Sequence, residues 1–252
     1  MPLVTLLTDF GTADGYVAEM KGVLLTGAPT AQLVDVAHDV PAQDVEFARL
    51  VFARYWRRFP AETVHLVVVD PAVGTSRTAL AIESDGRFAV GPDNGVLSPA
   101  MLLPGARAVA LAIPPGASPT FHGRDVFAPA AVRLLCGEPL DALGTPFSDA
   151  VLRRTPEAQR RPDGGQDGRV LSVDRFGNLI TNLTGRGGVT VELGGRLLRL
   201  SRSYADVTEG ELLALVGSHG LIEVAVRGGN ASRTLGVGRG APVTLRRESG
   251  TA

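Results

Sequence analysis

Thr63-Val64-His65-Leu66-Val67-Val68-Val69-Asp70-Pro71-Ala72-Val73-Gly74-Thr75-Ser76-Arg77 is the stretch around which the chain is organised. From Thr63 to Val69 the run is largely apolar and β-branched, the pattern of a strand covered on both faces in a parallel sheet. Pro71 ends it, because proline withholds a ladder N–H and biases the preceding residue towards extended backbone. Asp70 is therefore expected at the carboxyl end of a buried strand, where open α/β sheets bind their ligands. Arg77 follows seven residues later with a permanent cation, and Gly74 between them lets the loop fold back. An Asp before Pro is also a common turn former, so two roles are open to Asp70 on this stretch alone.

Upstream, Leu3–Leu7 reads as a short strand ending in Thr8-Asp9-Phe10-Gly11, and Tyr16–Leu25 as a helix. Ala31–Ala37 reads as a second strand. Gln43–Phe59 is the clearest helix, with Ala48, Val51, Phe52, Tyr55, Trp56 and Phe59 on one stripe. Strand, helix, strand, helix, strand predicts a Rossmann-like α/β domain over residues 1–150, its sheet mostly parallel.

Downstream, residues 78–83 and 87–90 form a predicted hairpin around Ser84-Asp85-Gly86. Gly91-Pro92-Asp93-Asn94-Gly95 is a turn before a short helix from Ser98, and residues 106–113 form another strand. Thr120-Phe121-His122-Gly123-Arg124-Asp125 closes the next loop, with Asp125 near the N-terminus of a helix over 126–135. Composition shifts between Gly137 and Arg169, and the polar, turn-rich residues 151–169 are expected to be a linker. From Val170 to the end, short alternating strands separated by glycine turns predict a smaller all-β domain, barrel or sandwich.

At 252 residues, 44% of them hydrophobic, the chain can bury a sizeable core in one large domain or two smaller ones. No apolar run approaches the ~20 residues that span a bilayer. A basic leader region is absent before the first strand, so a cytoplasmic protein is expected. The single cysteine, Cys136, excludes an internal disulfide and a cysteine zinc cluster, and its apolar neighbours predict a packed core thiol. A formal net charge of -1 disfavours nucleic acid as a partner.

Asp9, Asp70 and His122 each close a predicted strand or its following loop and could meet on one rim of the sheet. A carboxylate, an arginine and a histidine together are suited to orienting and polarising a water. Asp9, Asp14 and His122 also have plain readings as turn residues or a locally bonded loop histidine. Other motifs fail. Asp9-Phe10-Gly11 spells a kinase triplet without a kinase catalytic loop or glycine-rich loop. Gly236-Val237-Gly238-Arg239-Gly240 sits late among β-turns, there is no Walker loop, and the histidines at 38, 65, 122 and 219 lack metal-ligand spacing. In the second region Asp174-Arg175-Phe176-Gly177-Asn178, Gly217-Ser218-His219-Gly220 and Gly229-Asn230-Ala231 each also read as simple turns.

Taken together, the pieces resemble one family. Thr8-Asp9-Phe10-Gly11 with Tyr16-Val17-Ala18-Glu19-Met20-Lys21-Gly22, and Val69-Asp70-Pro71-Ala72-Val73-Gly74-Thr75-Ser76-Arg77, look like the S-adenosylmethionine (SAM) hydroxide adenosyltransferases, or SAM hydrolases. These are relatives of the fluorinase and chlorinase. The motifs at 91–95, 120–125, 174–178 and 228–231 continue the match in order along nearly the whole chain. Gly217 stands where the pattern has asparagine, and His219 is at a variable position.

The resemblance implies an α/β domain followed by a β-barrel that completes the site, in a homotrimer with sites between one subunit's first domain and its neighbour's second. It implies hydrolysis of SAM to adenosine and L-methionine, with SAM as substrate and no separate cofactor, metal, nucleic acid or membrane partner. A SAM-dependent halogenase and a SAM- or adenosine-binding regulator without turnover are the competing readings. Halogenating relatives carry an aromatic where this chain has Asp70. On this basis Asp70, Arg77 and His122 are the expected catalytic residues. The expected substrate-binding residues are Asp9 for the ribose hydroxyls, Asp174 for the ammonium, Ser218 for the carboxylate, and Asn178 with the Ala231 backbone for adenine. Phe176 and Asn230 complete that set.

Overall fold

The computed structural model describes residues 1–247, so the last five residues of the expected second domain lie outside the description. The chain divides into two compact units, the first spanning Met1–Arg154 and the second beginning at Thr155. No helix among the described residues is long and apolar enough to cross a membrane.

The first unit runs β1 (Leu3–Thr8), α1 (Tyr16–Gly27), β2 (Gln32–Ala37), α2 (Val45–Tyr55), β3 (Val64–Val68), β4 (Ala79–Ser84) and β5 (Arg87–Pro92). It continues with α3 (Ser98–Met101), β6 (Arg107–Leu111), α4 (Ala128–Leu135) and β7 (Gly144–Pro146). The seven strands form one sheet in the order β2-β1-β3-β5-β4-β6-β7. β3 is buried along its whole length and alternates between two cores. Val64, Leu66 and Val68 face a cluster with Met20, Leu24 and Phe127, whereas Val67 and Val69 face Phe52, Trp56 and Ala48. That alternation is what a strand covered on both faces requires.

The expected mostly parallel sheet is corrected to a mixed one. β2-β1-β3-β5 pair in parallel, but β5-β4, β4-β6 and β6-β7 pair antiparallel. The hairpin read from Ser84-Asp85-Gly86 is real, with β5 parallel to β3, and of the seven strands only β4 and β7 run against the others. The helix expected at 126–135 is also changed: residues Gly123–Phe127 form a π-turn, and Asp125 lies inside it and accepts the Ser118 N–H at 2.8 Å. Cys136 is exposed at the end of α4 and is not a core thiol.

The second unit consists of β8 (Gln159–Arg160), β9 (Gln166–Val173), β10 (Leu179–Thr181), β11 (Val189–Leu193) and β12 (Arg196–Ser201), followed by β13 (Leu212–Val216), β14 (Ile222–Val226), α5 (Ala231–Leu235) and β15 (Pro242–Arg247). The order is β10-β14-β13-β12-β11-β15-β9, and β9 pairs again with β10, closing a barrel around Val170, Leu179, Val191, Val224 and Leu245. Only β12 and β13 run parallel within that ring. Part of the expected linker is structured, since β8 pairs with β9 at Gln159 and Arg160.

Candidate active site

Asp70 leaves the sheet two residues beyond the last rung of β3. Its approach is fixed by Asn94, whose amide donates to the Val69 carbonyl at 2.8 Å while its side-chain oxygen accepts the Val96 N–H at 3.1 Å. The loop then returns through Gly74, which has φ 78° and comes so close to the Pro119 carbonyl that a Cβ would lie 2.4 Å from that oxygen. Only glycine suits both demands. The return delivers Arg77 between Asp70 and His122. Arg77 Nε donates to Asp70 Oδ1 at 3.2 Å, Nη2 donates to Asp70 Oδ2, and Nη2 lies 3.1 Å from His122 Nδ1. Nη1 donates to the Thr78 carbonyl at 3.1 Å, and Phe127 packs its ring against the guanidinium.

The trio is largely buried: the side chains of Arg77 and Asp70 are 6% and 5% exposed, and His122 is buried. Burial raises the Asp70 carboxyl above its usual value, against the pull of Arg77 and His122. Burial, and then the Arg77 charge, push His122 below its usual value, so its neutral form is favoured. A guanidinium only donates, so the nitrogen facing it, Nδ1, is the acceptor. The neutral ring therefore carries its proton on Nε2. Such a cluster combines a carboxylate with unused lone pairs, a fixed cation and an N–H donor.

Asp9 follows β1, whose last rung Thr8 pairs with Val68 of β3, so Asp9 and Asp70 leave the same sheet edge on neighbouring strands. Asp9 Oδ2 accepts the Gln43 N–H at 2.7 Å. Thr8 Oγ1 lies 2.8 Å from His38 Nδ1, and Gly11 donates its N–H to the His38 carbonyl at 2.7 Å.

In the second unit Asp174 organises its own turn. Its Oδ1 accepts the Phe176 and Asn178 N–H groups at 2.9 and 2.8 Å, and Oδ2 accepts the Asn178 amide at 3.0 Å. Gly177, with φ 84°, packs directly on Asn230, which caps α5 by accepting the Arg233 N–H at 2.8 Å. Ser232 donates to the Gly177 carbonyl, so Asp174, Phe176, Asn178, Asn230 and Ala231 form one assembly. Ser218 does not join it: it is exposed on the hairpin between β13 and β14. Beside that hairpin lies Glu223, a buried carboxylate that sequence reading missed. It accepts the Tyr204 hydroxyl and sits 3.8 Å from His219 Nε2. Burial, then Glu223, push the Tyr204 hydroxyl up to about 12. The available signal was a lone acid inside the apolar run Leu221-Ile222-Glu223-Val224-Ala225-Val226. The four histidines lie in separate surroundings: His38 with Thr8, His65 with Thr5, His122 with Arg77 and His219 with Glu223.

Residues 4–144 match the SAM hydroxide adenosyltransferase N-terminal domain, and residues 168–244 match the C-terminal domain. The (R)-S-adenosyl-L-methionine hydrolase of Thermus thermophilus is 43% identical over 96% of this chain and 98% of its own length. The crystal structure of an uncharacterized conserved protein from Thermotoga maritima superposes with a TM-score of 0.89 at 33% identity, covering 97% of this chain and all (100%) of that one. More distantly, the fluorinase of Actinopolyspora mzabensis is 28% identical over 89% of this chain and 90% of its own length.

Proposed function

Because the chain belongs to the SAM hydroxide adenosyltransferase family, we propose that it hydrolyses S-adenosyl-L-methionine to adenosine and L-methionine. The observation that carries the reading is the hydrogen-bonded, largely buried trio of Asp70, Arg77 and His122. Water attacks C5′ of the sulfonium substrate, the C5′–O bond forms as the C5′–S bond breaks, and the electron pair leaves with sulfur as a neutral thioether. No acid is needed for that leaving group. The water must lose a proton, and bulk water, with a pKa of about 15.7, gives it up poorly.

Tautomer and charge divide the labour. His122 already presents Nε2–H, so it donates to the attacking oxygen and orients it. Asp70 retains lone pairs beyond those used by Arg77 and accepts the proton as the bond forms. Arg77 keeps Asp70 ionised in its buried position and stabilises the developing negative oxygen. By the family pattern, Asp9 holds the ribose hydroxyls, the Asp174–Asn178 turn with Phe176, Asn230 and Ala231 holds the ammonium and adenine, and Ser218 holds the carboxylate. This proposal needs no further cofactor. The same resemblance supports a cytoplasmic homotrimer in which each site draws on residues from two subunits.

The test is to incubate purified protein with the (R) and (S) sulfonium epimers of SAM, with and without halide, and to chromatograph the products. Both epimers belong in the assay because the Thermus relative is named for the (R) form. Adenosine and methionine in equal amounts, independent of halide, are expected. A 5′-halogenated nucleoside, or tight binding without turnover, would overturn the proposal.

A further inference from the structure

Gln43 has φ 65°, a left-handed conformation that residues with a Cβ seldom adopt. In that conformation its N–H points at Asp9 Oδ2, 2.7 Å away. Strain of this kind persists where the surroundings over-determine the backbone, and it concentrates where function needs a fixed geometry. The surroundings here are specific. The next residue, Asp44, caps α2 by accepting the Phe47 N–H at 2.9 Å, so the helix start holds Gln43 in place.

The other side of Asp9 is tied to the same turn. Thr8 is fully buried, and its Oγ1 accepts the Phe10 N–H at 3.3 Å and shares a 2.8 Å hydrogen bond with His38 Nδ1. His38 Nε2 lies 3.1 Å from Asp35 Oδ1, an ion-pair distance without hydrogen-bond geometry. Lys21 donates to the other Asp35 oxygen at 2.6 Å, and the His38 carbonyl takes the Gly11 N–H. Thr8, Phe10 and Gly11 are thus all anchored on or through His38, while the Asp9 carboxylate itself is anchored on Gln43.

We infer that the turn from His38 to Gln43 is a positioning device that fixes the Asp9 carboxylate for two-point recognition of a vicinal diol, with Gln43, His38 and Thr8 as its positioning residues. The inference rests on the proposed role of Asp9 at the ribose. A carboxylate accepts hydrogen bonds only, and a diol supplies two O–H donors at a set spacing, so orientation of the carboxylate plane decides whether both bonds form.

The experiment measures competitive inhibition of SAM hydrolysis by adenosine and by 2′,3′-dideoxyadenosine in the full-length protein. Wild type is expected to prefer adenosine. Gln43→Pro removes the N–H and forbids the left-handed backbone. It is expected to weaken adenosine about tenfold, the low end for a lost hydrogen bond to a charged group. Its affinity for the dideoxy compound should hold within about twofold. Thr8→Val, close in shape, is expected to shift the same ratio by about threefold and decides the matter if Gln43→Pro does not fold. Gln43→Gly keeps the amide and suits the backbone, so the diol preference is expected to be restored there.

Equal weakening of both nucleosides, or an unchanged ratio in folded Gln43→Pro and Thr8→Val proteins, would overturn the positioning role while leaving Asp9 at the ribose. Absence of any diol preference in wild type would overturn the Asp9 reading and the inference with it.

Discussion

Asp70 and Asp174 both follow strands and both receive hydrogen bonds on each carboxylate oxygen, yet their partners differ in kind. Asp70 is bound by a side chain seven residues away that folds back to meet it, with both side chains largely buried. Asp174 is bound within its own turn, mostly by the backbone N–H groups of Phe176 and Asn178, and Phe176 beside it is 73% exposed. A carboxylate held by a buried cation is tuned electrostatically, because low effective dielectric strengthens every charge around it. One held by local backbone donors is tuned in shape. On the proposed function, the electrostatic tuning of Asp70 suits the chemical step and the fixed shape around Asp174 suits recognition.

The sharpest way to break that contrast is Asp70→Asn, which keeps the size and one acceptor but removes the charge beside Arg77. Turnover is expected to fall about 10²–10⁴-fold, with KM for SAM changed far less, in steady-state assays of the folded protein. Near wild-type turnover would remove Asp70 from the mechanism.

Asp174→Asn probes the other pole. The amide oxygen still accepts the turn's N–H groups, so the fold should persist, while the charge available to an ammonium is lost. KM is expected to rise about 10–100-fold with a smaller change in kcat, the range for a hydrogen bond to a charged group. A loss confined to kcat would place Asp174 in the chemistry and erase the division.

The smallest effect is the pH response. His122 acts as the neutral tautomer, and its pKa is lowered from 6.5. Lowering extends the neutral form to more acid pH, so the acid decline of kcat is expected to begin at a lower pH than an ordinary imidazole would give, approaching tenfold per unit. Protonation would put a proton on Nδ1 facing the guanidinium. The Asp70 carboxyl, raised by burial, adds to the same acid limb because it must be ionised to accept a proton. A rate that rises on acidification through this limb would contradict both roles.

The half of the sheet built from β1, β2 and β3 was legible because buried β-branched runs and the Phe52–Trp56 stripe report burial directly. The antiparallel half was legible as a hairpin but not as a neighbour of β3, since strand adjacency depends on contacts remote in sequence. Asp70, Arg77 and His122 were recognisable as residue types in a pattern, but the order in which they bond, and so the tautomer, depends on the Gly74 return past Pro119. Cys136 was misread because its apolar neighbours cover one face of α4 and the cysteine falls at the helix end. Gln43 carried no sequence signal at all: glutamine has no preference for positive φ, and only the geometry reveals it.

The barrel's single parallel pair has a topological consequence. Around a closed ring, strand direction must return to its starting sense, so an odd number of strands cannot alternate throughout. The ring from β9 to β15 has an odd count, and β12 beside β13 is where the alternation fails. Parallel neighbours cannot be joined by a tight turn, so the chain between Ser201 and Leu212 must travel back along the barrel before it re-enters. That obligatory excursion carries Tyr204, and with it the hydroxyl that meets the buried Glu223. Arithmetic of strand number, rather than any local preference of residues 202–211, put that phenol within reach of the carboxylate.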